Sequence, residues 1–499
     1  MSELHHPNPI GTSKGQAVSS TGLRLSQCFD PIDELFSSFF EVHRVPGLVW
    51  GVVDQSGLLH VGSRGVPDPS RPDRLTEHHV FRIASMTKSF TAMCILLLRD
   101  RAKLSLDDPV QQWLPELKVR YRPHIEPSTL TIAQLLSMSS GLVEDDPWAD
   151  RQLAMPESDF TALLATGIGL DLPPGSGFEY SNLGYAMLGL IAKRAAGHDL
   201  NVLAIEQILQ PLQMHASTWN LQDVDATLLA TGYRLNQGNW EIEALLDHGA
   251  FGAMGGLASS IKDLAQWVAL HLGAWHQEPR LSVPWIKRSS LREMAQIHTA
   301  ISRPNTTHPD LTAQGYGYGL TIAHHRLLGR IVGHSGGLPG YGSRMEWLTD
   351  YDIGLVTLAN RTYTALSDVV RQGLTHLVET GLVGVTPLPV SEELRRVYEA
   401  IIATYQNPQN QAALREVALP SYFLDCDDDR RPPDFGTLRS THGRLISTDP
   451  ISAQGSLRGF WTMHCARGAL TMHAMLGPGV PHKLQFLGVA SEPTAPGNR

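Results

Sequence analysis

The 499-residue sequence predicts an α+β fold: a sheet flanked by helices, an all-helical subdomain inserted into it, and a small separate α+β domain at the C-terminal end. Three observations carry this reading. Strand-like apolar runs lie near both ends of residues 25–382, so one sheet must be assembled from segments far apart in the chain. The stretch between them, about 104–270, has apolar residues at helical spacing broken by Pro and Gly. Residues 383–392 form a linker with two prolines and no periodicity, and new helix and strand patterns begin beyond it, over 393–499.

Residues 1–24 are polar, with Pro, Gly and Ser, and read as a disordered tail. "DELFSSFFEVHRV" has helical spacing. "GLVWGVVDQSGLLHVGSRG" (Gly47–Gly65) reads as two strands with a turn at Asp54–Gly57. "FRIASMTKSFTAMCILLLRD" (Phe81–Asp100) reads as a helix entering a core, through Phe90, Met93, Cys94, Leu97 and Leu98. "LTIAQLLSMSSGL" is a helix with a Gly stop, and "SNLGYAMLGLIAKRAAG" an amphipathic helix ending at Gly197. "GGLASSIKDLAQWVALHL" is another, with Ser260 and Asp263 spaced as an N-cap pair. "YGYGLTIA", "RIVGHSGG", "SRMEWLTD" and "DIGLVTLAN" are successive short strands, followed by a helix over Leu366–Leu377. Past the linker come a helix (Glu393–Tyr405) and strand-like "GRLIST", "RGFWTMHCARGALTMHAML" and "KLQFLGV".

Composition narrows the function. Apolar residues make up 42% and charged residues 18%, as in a soluble globular protein. The formal charge of −9 and the lack of any basic run argue against a nucleic-acid partner. No signal-peptide pattern opens the chain, and runs such as "CILLL" are too short to span a bilayer, so a cytoplasmic protein with no membrane partner is expected. Cys28, Cys94, Cys426 and Cys465 are far apart and read as reduced structural thiols. Adjacent His pairs such as His78-His79 and His324-His325 would point to opposite faces of a strand. With no HExxH and no phosphate-loop glycine pattern, neither a metal nor a cofactor is expected.

One charge breaks the apolar pattern. Lys88 sits one helical turn after Ser85 at the mouth of the most apolar helix. A serine hydroxyl needs a base within hydrogen-bond reach to act as a nucleophile. A lysine can be that base if burial lowers its pKa. A snorkelling Lys88 would explain the same spacing without chemistry. The spacing also occurs twice, in Ser85-Met86-Thr87-Lys88 and Ser259-Ser260-Ile261-Lys262. The second copy reads as the entry to a capped helix, with Lys262 on a solvated face. Two further segments follow in order: Tyr180-Ser181-Asn182 in a turn-rich loop before a helix, and His334-Ser335-Gly336 on a strand ending in small residues. Taken alone, Tyr180 is an amphipathic aromatic, Asn182 an N-cap, and His334 a partner for a nearby carbonyl.

As an ordered set with their flanks, "FRIASMTKSFTA", "LTIAQLLSMSSGL", "PGSGFEYSNLGYAMLG", "GAMGGLASSIKDLAQW" and "GHSGGLPGYGSRMEWL", these segments resemble the serine β-lactamase and penicillin-binding-protein superfamily. The branch is that of class C β-lactamases, D-Ala-D-Ala carboxypeptidases, D-aminopeptidases and β-lactamase-like esterases. The likeness covers about residues 28–382. It implies a three-layer α/β/α arrangement around an antiparallel sheet. It also implies roles: Ser85 is the acylated nucleophile, Lys88 and Tyr180 share proton transfer, and Asn182 orients Lys88 and the substrate amide. His334, Ser335 and Gly336 bind or orient substrate, and the backbone N–H groups of Ser85 and Gly337 form the oxyanion hole.

Position 334 is His where penicillin-recognising members carry Lys, so the permanent cation that pairs with a substrate carboxylate is missing. The resemblance therefore implies an ester- or amide-cleaving enzyme. D-amino-acid peptidase activity, acyl transfer and substrate binding without turnover are its alternatives, and a small-molecule ester, amide or short peptide is the partner. The C-terminal unit resembles an NTF2-like or SnoaL-like cone on "LRSTHGRLIS" and "GFWTMHCARGALTMHAML". Its expected part is structure, specificity or homo-oligomer formation.

Overall fold

The computed structural model describes residues 22–71, 73–122, 125–146, 148–302, 309–424 and 432–492. It divides into two compact units between Val385 and Thr386. The tail read as disordered lies outside the described residues except for its last three, which open a helix. No helix among the described residues is long and apolar enough to cross a membrane.

The longer helices of the first unit that frame the site are α1 (Gly22–His43), α2 (Thr87–Asp100), α3 (Asn182–Ala196), α4 (Ile261–Gly273) and α5 (Ser367–Glu379). Its main sheet consists of β1 (Gly47–Asp54), β2 (Gly57–Gly65), β3 (Thr299–Ala300), β4 (Leu311–Tyr316), β5 (Thr321–His325), β6 (Gly329–Leu338), β7 (Tyr341–Leu348) and β8 (Ile353–Ala359). The strand order is β2-β1-β8-β7-β6-β5-β4-β3, and every neighbouring pair is antiparallel. The N-terminal hairpin thus closes against the last strand, as the apolar runs at both ends of the unit require.

Alternation along β1 shows why the sheet has helices on both faces. Leu48, Trp50 and Val52 point into one core with Ile32 and Phe36 of α1 and Val370 and Leu374 of α5. Val49 and Val53 point into the other, with Ile261, Leu264 and Val268 of α4 and Phe90 of α2. Phe36 stacks on Trp50 at 4.9 Å, and Trp50 Nε1 donates to Asp33 at 2.9 Å, which ties α1 to the sheet. On the other face α4 comes close because Gly51 and Gly354 carry no side chain. A Cβ at these positions would lie 2.7 Å from Ile261 and 3.0 Å from Val268. The helical insertion read as running to about residue 270 therefore ends before α4, which belongs to the sheet. That insertion also holds a hairpin, Tyr233–Asn236 with Asn239–Ile242, whose four-residue strands are too short for alternation to reveal.

One detail of the sheet positions the site. β5 pairs with β6 only as far as Gly333, whereas β7 pairs with it through Leu338. From His334 onward one edge of β6 runs beyond its neighbour.

The second unit has its own core, where Leu394, Val397, Ile401 and Tyr405 of α6 (Glu392–Gln406) meet Trp461, Met463, Leu470 and Met472. A helix α7 (Phe435–His442) precedes the five strands β9 (Leu445–Thr448), β10 (Ser452–Gly455), β11 (Arg458–Cys465), β12 (Gly468–Leu476) and β13 (Leu484–Glu492). They are ordered β9-β11-β12-β13, with β10 pairing β11.

Candidate active site

The Ser85 turn is built from backbone first. The two-residue strand Phe81–Arg82 pairs with Ala258–Ser259, and a single 3₁₀ turn, Ala84–Met86, runs directly into α2. Ala84 has φ +51°, a left-handed conformation costing about 1 kcal/mol for a residue with a Cβ. Neighbours hold it there. Ile83 N–H donates to Leu257 O at 3.0 Å, and Ser343 Oγ on β7 donates to Ile83 O at 2.7 Å. β6 lies directly against this turn at Gly336, where a Cβ would come within 2.3 Å of Ile83 O and 2.2 Å of Ser343 Oγ. Gly336 is thus a contact between strand and turn, and Ser335 beside it is exposed. Gly337 follows under the Tyr363 ring.

Lys88, the second residue of α2, is fully buried and does not snorkel. Its Nζ has three partners: Ser85 Oγ at 2.9 Å, Asn182 Oδ1 at 2.6 Å and Met254 O at 2.9 Å. Two of these can only accept. As an ammonium, Lys88 donates to all three. As a neutral amine, its two hydrogens stay with Asn182 and Met254, and its lone pair is left for the Ser85 hydroxyl. Burial pushes the Lys88 pKa down to about 8, against the opposing pull of Asp146, Asp150 and Asp145.

Helix α3 delivers Asn182. The N-cap is Ser181, whose hydroxyl accepts from Gly184 N–H at 3.2 Å; Asn182 is the first helical residue and is completely buried. The capping role open to Asn182 in the sequence thus falls to its neighbour, leaving the amide free for Lys88. Asp145 accepts from the backbone N–H groups of Asn182 and Leu183, both at 2.7 Å, at the helix end where negative charge is favoured. Asn182 Nδ2 donates to Asp146.

Tyr180 lies half-buried just before the cap, its ring centroid 4.9 Å from Lys88 Nζ. Burial, reinforced by Asp146, raises its pKa well above the ordinary value, and the contact with Ser85 opposes this. At neutral pH Tyr180 is a phenol, not a phenolate.

His334 meets a different environment from the substrate-facing one expected of it. Only 2% exposed, it has Nε2 2.9 Å from Tyr316 OH and Nδ1 2.5 Å from Ser335 O. Burial first, then the Lys88 charge, lowers its pKa to about 3. The imidazole is neutral and both its nitrogens are occupied by the protein. Arg344, on the neighbouring strand, is taken up by Glu346 at 3.0 Å, and Arg371 binds the same carboxylate at 3.2 Å.

The second Ser-x-x-Lys segment gathers no such set. Ser260 caps α4 by accepting from Asp263 N–H, Ser259 Oγ meets Ser217 Oγ at 2.8 Å, and Lys262 is exposed. Sequence reasoning passed over Asp145, Asp146 and Asp150, and Asp150 also accepts from Tyr363 OH at 2.8 Å. Burial and Asp146 push Asp150 up to about 6. The available signal was "VEDDPWAD", four acidic residues in eight within an otherwise apolar helical region. Met254 carried no signal, because its part is played by a backbone carbonyl.

Comparison with known proteins shows the family. The Beta-lactamase family model matches residues 32–379. Protein flp of Staphylococcus aureus (strain MW2) is 27% identical over 334 residues, or 66% of this chain and 62% of the relative. Beta-lactamase-like protein 4 of Dictyostelium discoideum is 27% identical over 367 residues, or 69% of this chain and 62% of the relative. The chain thus spans 62% of the length of these curated relatives. Among solved structures, the octameric penicillin-binding protein homologue from Pyrococcus abyssi is similar with a TM-score of 0.62 and 20% identity, over 92% of this chain and 99% of that one. At that identity the likeness is one of fold.

Proposed function

Because this chain belongs to the Beta-lactamase family over residues 32–379, a superfamily generally made up of serine hydrolases, we propose that it cleaves an ester or amide bond through an acyl-enzyme on Ser85. The observation that carries this reading is the buried Lys88 amine, whose one unassigned valence faces the Ser85 hydroxyl at 2.9 Å.

In this reading neutral Lys88 takes the Ser85 proton as the oxygen attacks the substrate carbonyl. Lys88 is the base, not Tyr180, because burial moves the two pKa values in opposite directions: the amine toward neutrality, the phenol away from it. The N–H groups of Ser85 and Gly337 receive the oxyanion, a contribution of roughly 10²–10³ in rate. Tyr180 acts as a relay: it passes its proton to the leaving group as it receives the one Lys88 took, and in the second half it takes a proton from the deacylating water as it hands its own to Lys88, which returns it to Ser85. Substrates without a carboxylate are favoured, since neutral His334 and the committed Arg344 offer no cation to pair with one.

The test is intact-mass spectrometry after treatment with a fluorophosphonate or an activated ester. One adduct, on Ser85, is expected, and equal labelling of Ser85→Ala would refute the assignment. The β6 edge beyond Gly333 also suits an amide backbone lying alongside it, which supports a second reading as a D-amino-acid peptidase. A panel of p-nitrophenyl esters against D-amino-acid p-nitroanilides separates the two.

A further inference from the structure

The amide of Asn182 has two ends with opposite consequences for Lys88. Its oxygen can only accept, and so leaves the lone pair of a neutral amine alone. Its nitrogen can only donate, and if turned toward Nζ it would hydrogen-bond that lone pair. Nζ would then approach Ser85 Oγ with a hydrogen, and the base would be blocked. Lys88 cannot prevent this once it is neutral, which is the form the reaction needs.

Asp146 stands on the far side of the same amide. Asn182 Nδ2 donates to an Asp146 carboxylate oxygen, and Asn182 Oδ1 receives Lys88 Nζ at 2.6 Å. A carboxylate accepts only, so the flipped amide would set oxygen against oxygen. The rest of Asn182 is immobile: it is completely buried and its backbone N–H is held by Asp145 at 2.7 Å. Rotation of the amide is the freedom that remains, and Asp146 is the residue that removes it.

We propose that Asp146 is a positioning residue that locks the Asn182 amide, reserving the lone pair of the neutral Lys88 amine for Ser85. This rests on the reading of Ser85 as nucleophile and Lys88 as base. It goes beyond the motif residues, since Asp146 touches neither. Asp146 has a second, separable effect through its charge, which favours the Lys88 ammonium. The other groups facing Lys88 are Asp145 and Asp150 from the same loop, the rings of Tyr180 and Tyr185, and His334 on β6.

The two effects part in the plateau and the midpoint of one profile. Asp146→Ala removes both the acceptor and the charge. Asp146→Glu keeps both, as an accept-only carboxylate. Acylation of Ser85 by p-nitrophenyl acetate, followed as burst rate from pH about 6 to about 10, reads both. Asp146→Ala is expected to slow the high-pH plateau by up to roughly 100-fold, the scale of a misplaced catalytic group, and to move the midpoint to lower pH. Asp146→Glu is expected to recover most of that plateau, with its midpoint near that of the wild type. Asp146 is exposed, so neither change empties the core; should Asp146→Ala melt without cooperativity, Asp146→Val makes the same test. The proposal is overturned if the acceptor-free variant acylates with the wild-type plateau, or if Asp146→Glu is as slow as Asp146→Ala. A wild-type protein that forms no Ser85 adduct at any pH overturns instead the functional reading on which the proposal stands.

Discussion

The phenol oxygen of Tyr316 lies 2.9 Å from Nε2 of His334, while Nδ1 of the same ring lies 2.5 Å from the carbonyl oxygen of Ser335. A carbonyl cannot donate, so Nδ1 carries the proton and Nε2 accepts from Tyr316. This tautomer is neutral and closed to other partners. Removing the donor in Tyr316→Phe leaves a buried ring nitrogen unsatisfied. A loss of about 1–3 kcal/mol in unfolding free energy is expected from urea melts, with the far-UV spectrum unchanged.

The same histidine gives the protein an acid-side weakness. Its folded pKa is about 3, against an ordinary 6.5. Between these values the unfolded chain binds a proton that the folded one refuses. The stability contributed by neutral His334 is therefore complete above pH 6.5 and falls as the pH drops toward 3. Buried His271, also lowered to about 3 by burial, acts in the same direction. His334→Asn should flatten the decline measured by urea melts between these pH values. An unchanged slope would mean that other groups carry it.

For the reaction, the relevant titration is Lys88. Its pKa of about 8 predicts that Ser85 acylation rises with pH up to that value and then levels off, because only the neutral amine can accept the proton. Lys88→Arg replaces the amine with a group that stays charged, and should reduce acylation by roughly 10²–10⁴ at every pH while the fold persists. Fluorophosphonate labelling rates across the pH range check both statements.

Gly336 is predicted to be intolerant of any side chain. A Cβ there meets backbone at Ile83 O, and the turn it would push carries Ser85. Gly336→Ala should cost about 1–3 kcal/mol and suppress acylation further by displacing the turn. Gly169→Ala is the contrasting variant: an added Cβ meets nothing within 4 Å, and both thermal melt and labelling should stay near wild type.

The N-terminus of α3 can be tested independently of chemistry. Ser181→Ala removes the cap that accepts from Gly184 N–H, and about 0.5–2 kcal/mol of stability should go with it. Because the adjacent residue is Asn182, acylation should fall as well. A stable but fully active Ser181→Ala protein would show that Asp145, gripping the next two N–H groups, suffices to hold the helix end.

How much of this could be read from residue order follows from the range of each interaction. The apolar run "GLVWGVVD" followed by a turn marked the hairpin, and the chain divides between Val385 and Thr386, inside the stretch read as a linker from its two prolines. The end of α3 at Gly197, with φ +83°, was visible because a helix stop is local chemistry. Ser260 as a cap was visible for the same reason. The hairpin at 233–242 was not, because its four-residue strands are too short for a pattern to stand out, and neither was the attachment of α4 to the sheet, which does not depend on spacing within its own segment.

Two Ser-x-x-Lys segments stood in the sequence with equal local claims. Spacing alone put each lysine one turn beyond its serine, and the order of flanking segments favoured the first through resemblance. Folding separates them physically: Lys88 is sealed from water among Ser85, Asn182 and the Met254 carbonyl, from three segments of the chain, whereas Lys262 faces solvent. Desolvation and hydrogen-bond geometry are properties of what surrounds a group. Asp146 behind Asn182 and Tyr316 behind His334 are remote in the chain from the residues they fix, so their parts become legible only where the chain closes on itself.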